Sequence, residues 1–179
     1  MPEPEAKKMA DENLAAVVHH SGGSYPVVAG WGILDDLGRR FVDLDLKGPA
    51  YIITDTNVMN PYGRQAQLAL QKHGIAAHIF IIPAGETSKS FSLVQSIYDW
   101  LVERRAERGH PIIAVGGGVV GDLAGFVAAT FLRGVPFVQV PTSMAAMVDA
   151  SIGGKVAVNL PQAKNLVGAF YQPRGVFAD

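Results

Sequence analysis

A chain of 179 residues with 49% hydrophobic and 17% charged content can bury one substantial core, which places it among ordinary globular domains. Fifteen Lys and Arg against sixteen Asp and Glu leave a formal charge of -1, excluding a global field that would draw the protein to nucleic acid or an anionic membrane; any anion site must be local. Cysteine is absent, which excludes disulfides and thiolate metal sites, and with no apolar leader and no stretch of about 20 apolar residues the expectation is a cytoplasmic protein that does not span a membrane.

In chain order, residues 1–13 are polar and read as a mobile tail, and 14–179 as one domain. Apolar runs at 15–19, 25–28, 50–54, 77–82, 111–115 and 135–140, rich in Val, Ile and Phe, predict strands. Helical patterns fall at 57–73, 90–107, 119–131 and, more briefly, 144–149. Alternating strand and helix implies an α/β fold with right-handed parallel crossovers. In the 90–107 helix, Leu93, Ile97, Trp100 and Leu101 are spaced by three and four, a face to bury on a sheet. Gly74 and Gly109 read as helix ends. From Ser151 the stretch Ser-Ile-Gly-Gly-Lys-Val-Ala-Val-Asn is too glycine-rich for a helix and predicts a loop or irregular hairpin. Residues 175–178 read as a further strand starting, so the chain is expected to stop mid-architecture.

The sharpest local feature is Gly116-Gly117-Gly118-Val119-Val120-Gly121-Asp122, between a predicted strand and a predicted helix. Glycine removes the β-carbons that would hold a phosphate off the backbone, and a helix start offers unpaired N–H groups at the positive end of its dipole. Gly116, Gly118 and Gly121 match G-x-G-x-x-G, but outside the first strand–helix turn and without the acidic residue some 20 positions later, so a tight structural turn is the competing reading. Pro141-Thr142-Ser143 ends the next strand at the same carboxyl edge, where it could serve a ligand or cap a helix. The loop from Pro83 through Gly85, Glu86 and Lys89 also follows a strand, and Asp55 closes another, as a ribose acceptor or a turn aspartate. Arg133, Asp149, Lys155, Lys164 and Asn165 gather in an otherwise apolar and glycine-rich last third, a set suited to a phosphate or carboxylate ligand. The histidines His19, His20, His73, His78 and His110 show no spacing for a joint metal site.

The run from Gly116 to Pro173, together with PAGETSK around Glu86 and the strand-end Thr54-Asp55, resembles the 3-dehydroquinate synthases. The resemblance implies the N-terminal, Rossmann-like NAD-binding portion of an enzyme that converts 3-deoxy-D-arabino-heptulosonate 7-phosphate to 3-dehydroquinate and phosphate, with NAD and a divalent metal, zinc or cobalt. It implies NAD contacts at Asp55, Gly85, Glu86, Lys89, Gly117, Gly118, Val119, Val120, Gly121, Asp122, Thr142 and Ser143, with Lys155 and Lys164 near the cofactor. It implies catalytic, substrate-facing roles for Arg133, Asp149, Lys155, Lys164 and Asn165. Ser143, Ala150 and Leu160 stand where many relatives carry Thr, Ser and His. The family's metal is held by a glutamate and two histidines of a helical C-terminal domain, so no metal ligand is expected here and the chain alone is expected to be inactive. Relatives are often dimers, so the resemblance allows a homodimer, while no residue of the sequence fixes the oligomeric state. The competing readings are another sugar-phosphate cyclase, a glycerol dehydrogenase-like oxidoreductase, or a non-catalytic NAD-binding fragment. The segment Val148-Asp149-Ala150-Ser151-Ile152-Gly153-Gly154-Lys155 favours the dehydroquinate type.

Overall fold

In the computed structural model, which describes residues 12–179, the apolar runs pair into one large sheet because their side chains alternate between two faces that both need covering. The elements are β1 (Leu14–His20), β2 (Gly23–Ala29), α1 (Leu37–Asp43), β3 (Ala50–Asp55), α2 (Arg64–Gln71), β4 (Ala77–Ile82), α3 (Phe91–Glu103), β5 (Ile112–Gly116), α4 (Gly118–Thr130), β6 (Phe137–Pro141), β7 (Lys155–Val158), β8 (Val167–Phe170) and β9 (Gly175–Ala178). Seven strands form a sheet in the order β1-β2-β9-β6-β5-β3-β4, parallel except for the β1–β2 hairpin. The strands β7 and β8 form a separate antiparallel hairpin.

Along β3 the alternation is plain. Tyr51 and Ile53 join Val94, Ile97, Leu101, Leu123 and Val127 in a core under α3 and α4, which Val156 and Val158 of β7 extend. Ala50 and Ile52 turn the other way, toward Leu37, Phe41, Ala66 and Leu70 of α1 and α2. Helices thus cover both faces, as a parallel sheet requires. Among the described residues no helix is long and apolar enough to cross a membrane.

Several boundaries differ from the sequence expectation for local reasons. Residues 1–11 of the expected tail lie outside the described residues. The 57–73 helix begins instead as a π turn, Met59–Gly63, and becomes α-helical at Arg64. The 144–149 helix is a π turn, Ala146–Ala150. Gly74, at φ +73, ends α2 with Ile75 N–H donating to Leu70 O, the left-handed stop expected. Gly109 does not end α3: Arg105 takes the left-handed conformation, φ 54, and Ala106 N–H closes on Leu101 O. The strand expected from 135 starts at Phe137, after Gly134 at φ 117.

The helix α1 was not foreseen, although Leu34, Leu37 and Phe41 carry the right spacing. No side chain of its own caps it. Its lead-in turn is held instead by Asp179, whose two carboxylate oxygens accept from Gly32 N–H at 3.0 Å and Leu34 N–H at 2.9 Å. The final segment, β9, pairs inside the sheet between β2 and β6 rather than at an edge.

Candidate functional site

Chain direction opens a crevice at one end of the sheet. From β3 the chain goes to β4 on one side and returns to β5 on the other, so β3 and β5 are neighbours whose connections diverge, a topological switch point. At the carboxyl ends beside it stand Asp55 (β3), the turn 83–89 (after β4), the glycine turn (after β5) and Thr142-Ser143 (after β6).

The glycines of the β5 turn do different work. A β-carbon on Gly116 would lie 2.5 Å from Val120, so packing of α4 on the sheet demands that glycine, whereas one on Gly121 would meet Gln139 Oε1 at 2.7 Å, the end of a side chain that can shift. Gly117 is different: its φ of −76° suits any residue, and an added β-carbon would meet Ser143 Oγ at 3.4 Å, a tolerable contact. One on Gly118 would meet Ala150 at 3.5 Å. Neither glycine is forced by strain or severe crowding, and both leave backbone open at the crevice. Beneath them α4 begins without a side-chain cap, and its first bond runs from Gly121 N–H to Gly117 O, so the preceding N–H groups of the first turn face outward. Val120 is fully buried, so only its backbone is available to a ligand, while Val119 is half-buried. This cradle fits a diphosphate.

Thr142 N–H donates to Gly116 O at 3.0 Å, tying the β6 loop to the glycine turn. Ser143 Oγ accepts from Ala146 N–H at 3.4 Å, so it caps the π turn that carries Asp149. Asp55 Oδ1 accepts from Asn57 N–H (2.8 Å) and Val58 N–H (3.2 Å), a turn-forming role. Gly85 needs its glycine for conformation, φ 110, and a β-carbon there would meet nothing within 4 Å.

The centre of the site is Lys89, 4% exposed. Its ammonium donates to Asp122 Oδ2 at 2.6 Å and to Asn165 Oδ1, and lies 4.0 Å from Glu86 Oε1. Thus the β4 loop, the first turns of α4 and the loop of the β7–β8 hairpin meet on one cation. Burial pushes the Asp122 carboxyl above the usual carboxylate range, and the Lys89 hydrogen bond and charge only partly offset it. Lys164 Nζ stands 3.8 Å from Glu86 Oε1, largely exposed. Lys155 pairs with Asp149 at 3.2 Å, both well exposed, a contact worth little in itself that leaves Lys155 able to turn to an anion. A cleft of about 480 Å³ opens beside this network, lined by Asp122, Asp149, Lys155, Asn165 and Phe170.

Arg133 is not brought to this cleft. It follows the far end of α4, roughly 20 Å along the axis from Gly118 by helical rise, exposed and at φ 66 between Leu132 (φ 50) and Gly134. The residue that sequence reading missed is Asn159, whose side chain joins Glu86 to the hairpin loop. Its only sequence signal is an asparagine at a strand end before Leu-Pro, which reads as a turn. Among the described residues no three His, Asp or Glu side chains gather to hold a metal.

Comparison with known proteins identifies the family and the fold. Residues 79–179, more than half of the chain, match the family model for the 3-dehydroquinate synthase N-terminal region. A 3-dehydroquinate synthase of Symbiobacterium thermophilum is 51% identical over 158 residues, covering 87% of this chain and 44% of the relative. Among solved structures, a 2-deoxy-scyllo-inosose synthase complexed with carbaglucose-6-phosphate, NAD+ and Co2+ superimposes with a TM-score of 0.85 at 31% identity, over 92% of this chain and 44% of that one. A 2-epi-5-epi-valiolone synthase from Streptomyces hygroscopicus with NAD+ and Zn2+ bound gives 0.77 at 29% identity, over 93% and 45%. The chain therefore spans less than half the length of these relatives.

Proposed function

The chain belongs to the 3-dehydroquinate synthase family, and from that premise we propose that residues 14–179 are its NAD-binding domain, with a nucleotide on the glycine side of the cleft and an acidic sugar phosphate on the lysine side. The reaction of the whole enzyme would be conversion of 3-deoxy-D-arabino-heptulosonate 7-phosphate to 3-dehydroquinate and phosphate. The observation that supports this reading is the meeting of three loops on Lys89, beside a cleft lined by Asp122 of α4 and by Lys155 and Asn165 of the hairpin.

Backbone N–H groups at Gly117 and Gly118 and the α4 dipole hold the diphosphate. Asp55, at the end of β3, takes the adenosine ribose, and Glu86, Lys89, Thr142 and Ser143 wall the nucleotide. Lys155 and Lys164 neutralise phosphate and carboxylate, Asn165 adds a directional amide, and Asp149 keeps Lys155 at the rim until an anion displaces it. When bound, NAD would supply transient oxidation of a ring hydroxyl, the chemistry that would acidify the neighbouring hydrogen ahead of phosphate loss. Lys89 and Asp122 are held in a partly dry network, so the Lys89 charge beside the nucleotide acts in a lower dielectric than water. Relatives in complex hold Co2+ or Zn2+; among the described residues no three His, Asp or Glu side chains gather, and the roles proposed for this chain's residues are binding, orientation and charge. A cytoplasmic location fits the cysteine-free chain.

Calorimetric titration tests the reading: NAD should bind with a Kd between micromolar and millimolar. Absence of heat and of any thermal stabilisation at several millimolar NAD would end it. With zinc and NAD added, phosphate release from the heptulosonate phosphate by this polypeptide alone should stay at background.

A further inference from the structure

We propose that Asn159 is a positioning residue that couples the two sides of the cleft, so that the nucleotide and the acidic ligand bind cooperatively; the inference rests on the nucleotide reading above. Asn159 leaves β7 and makes three hydrogen bonds in two directions. Its backbone N–H donates to Lys89 O at 2.8 Å, and its Nδ2 donates to Glu86 Oε1 at 2.7 Å, both on the β4 loop. Its Oδ1 accepts from Asn165 N–H at 2.9 Å, in the hairpin loop. The amide orientation is fixed by chemistry, since a flip would set donor against donor and carboxylate against carbonyl.

Asn165 returns the connection. It sits at φ 57, in the left-handed region that asparagine tolerates better than most residues, and its Oδ1 accepts from the Lys89 ammonium. A closed ring results, running from Lys89 O to Asn159, from Asn159 Oδ1 to Asn165, and from Asn165 Oδ1 back to Lys89 Nζ. Glu86, held by Asn159, also faces Lys164 at 3.8 Å. A nucleotide that fixes Glu86 and Lys89 therefore fixes Asn165 and Lys164 as well, and an anion on the hairpin loop does the reverse. The ordering cost of the shared ring falls on whichever ligand binds first, and the second binds more tightly. Asparagine alone suits position 159: aspartate loses the donor and faces Glu86 with like charge, alanine removes both side-chain bonds, and glutamine adds a methylene to a fixed span.

The test is titration of NAD into the whole chain, with and without saturating inorganic phosphate, for the wild type, Asn159→Asp and Asn159→Ala. Phosphate should tighten NAD by about 5-fold in the wild type, the lower end of ordinary coupling, and the ratio should fall to about 1 in both variants. A side chain that merely stabilised the fold would lower affinity in both arms and leave the ratio intact. A second measurement needs no variant: in the wild type, NAD should slow hydrogen exchange at the Asn165 amide. If the wild type binds no NAD, the nucleotide reading falls. If it binds but phosphate leaves affinity unchanged, or weakens it by competing at the glycine turn, the coupling is refuted. Equal ratios in wild type and variants, or Asn165 exchange indifferent to NAD, refute the role of Asn159.

Discussion

Lys89 and Asp122 are 33 residues apart and meet at 2.6 Å in a setting where Lys89 is almost fully enclosed and Asp122 mostly so. Their attraction does not offset the full cost of drying the carboxylate, which is why Asp122 takes up a proton more readily than a free aspartate. The sign follows from linkage. A carboxyl raised in the folded state contributes stability below its unfolded value of about 3.9, and that contribution is lost as pH rises through the raised value. Wild type should therefore gain on Asp122→Asn as pH falls from 7 toward 4.5, measured as the difference in urea midpoints; a constant difference would mean that Asp122 is not desolvated. Nothing in the sequence pairs these two residues. Each sits beside a recognisable loop, and only the resemblance assigned both to one ligand. Asn159 escaped because its partners lie 73 residues before and 6 after it, and a turn asparagine has no distinctive spacing.

The helix α4 packs closely because its glycines face other elements. A β-carbon on Gly125 would come within 2.3 Å of Val156 on β7 and 3.0 Å of the Phe137 ring on β6. In an open helix Gly→Ala stabilises by up to about 1 kcal/mol; here crowding reverses the sign. Gly125→Ala should destabilise by about 1–3 kcal/mol, the usual cost of overfilling a core, and should weaken NAD binding as β7 is pushed off. Urea denaturation and calorimetry check the two halves of that statement. The long helices α3 and α4 and the buried strands were legible because each carries its own pattern, apolar residues at helical spacing or runs of Val and Ile. The short elements were not. Seven-residue α1 draws its lead-in cap from Asp179, 145 residues away from Leu34, so the local start signal is missing. The π turns at Met59–Gly63 and Ala146–Ala150 differ from α-helix only in hydrogen-bond register, which composition does not encode.

At the scale of the whole molecule, fold class was readable from alternation, whereas strand order was not, because pairing is decided between segments far apart in sequence. The strand β9 illustrates this. Its residues read as a strand, but not as the one that joins the β1–β2 hairpin to the rest of the sheet. Phe177, 1% exposed, packs with Val28 and Val138 against the α1–α2 side, and the Arg40 guanidinium lies 5.5 Å over its ring. Phe177→Ala should cost about 3–5 kcal/mol, against a change within about 0.5 kcal/mol for Val102→Ala at an exposed position of α3. Equal urea midpoints for the two variants would show that β9 does not clasp the sheet.

That central place for residues 175–178 also sets an order of events at the ribosome. Val27 must find Val176, and Ala29 must find Ala178, across about 150 residues of chain, among the most distant pairings the topology contains. The first hairpin to emerge therefore waits, with one flank unsatisfied, until nearly everything else described has been synthesised. A nascent chain arrested before Gly175 leaves two open sheet borders, one on β2 and one on β6, and such borders invite pairing with other chains.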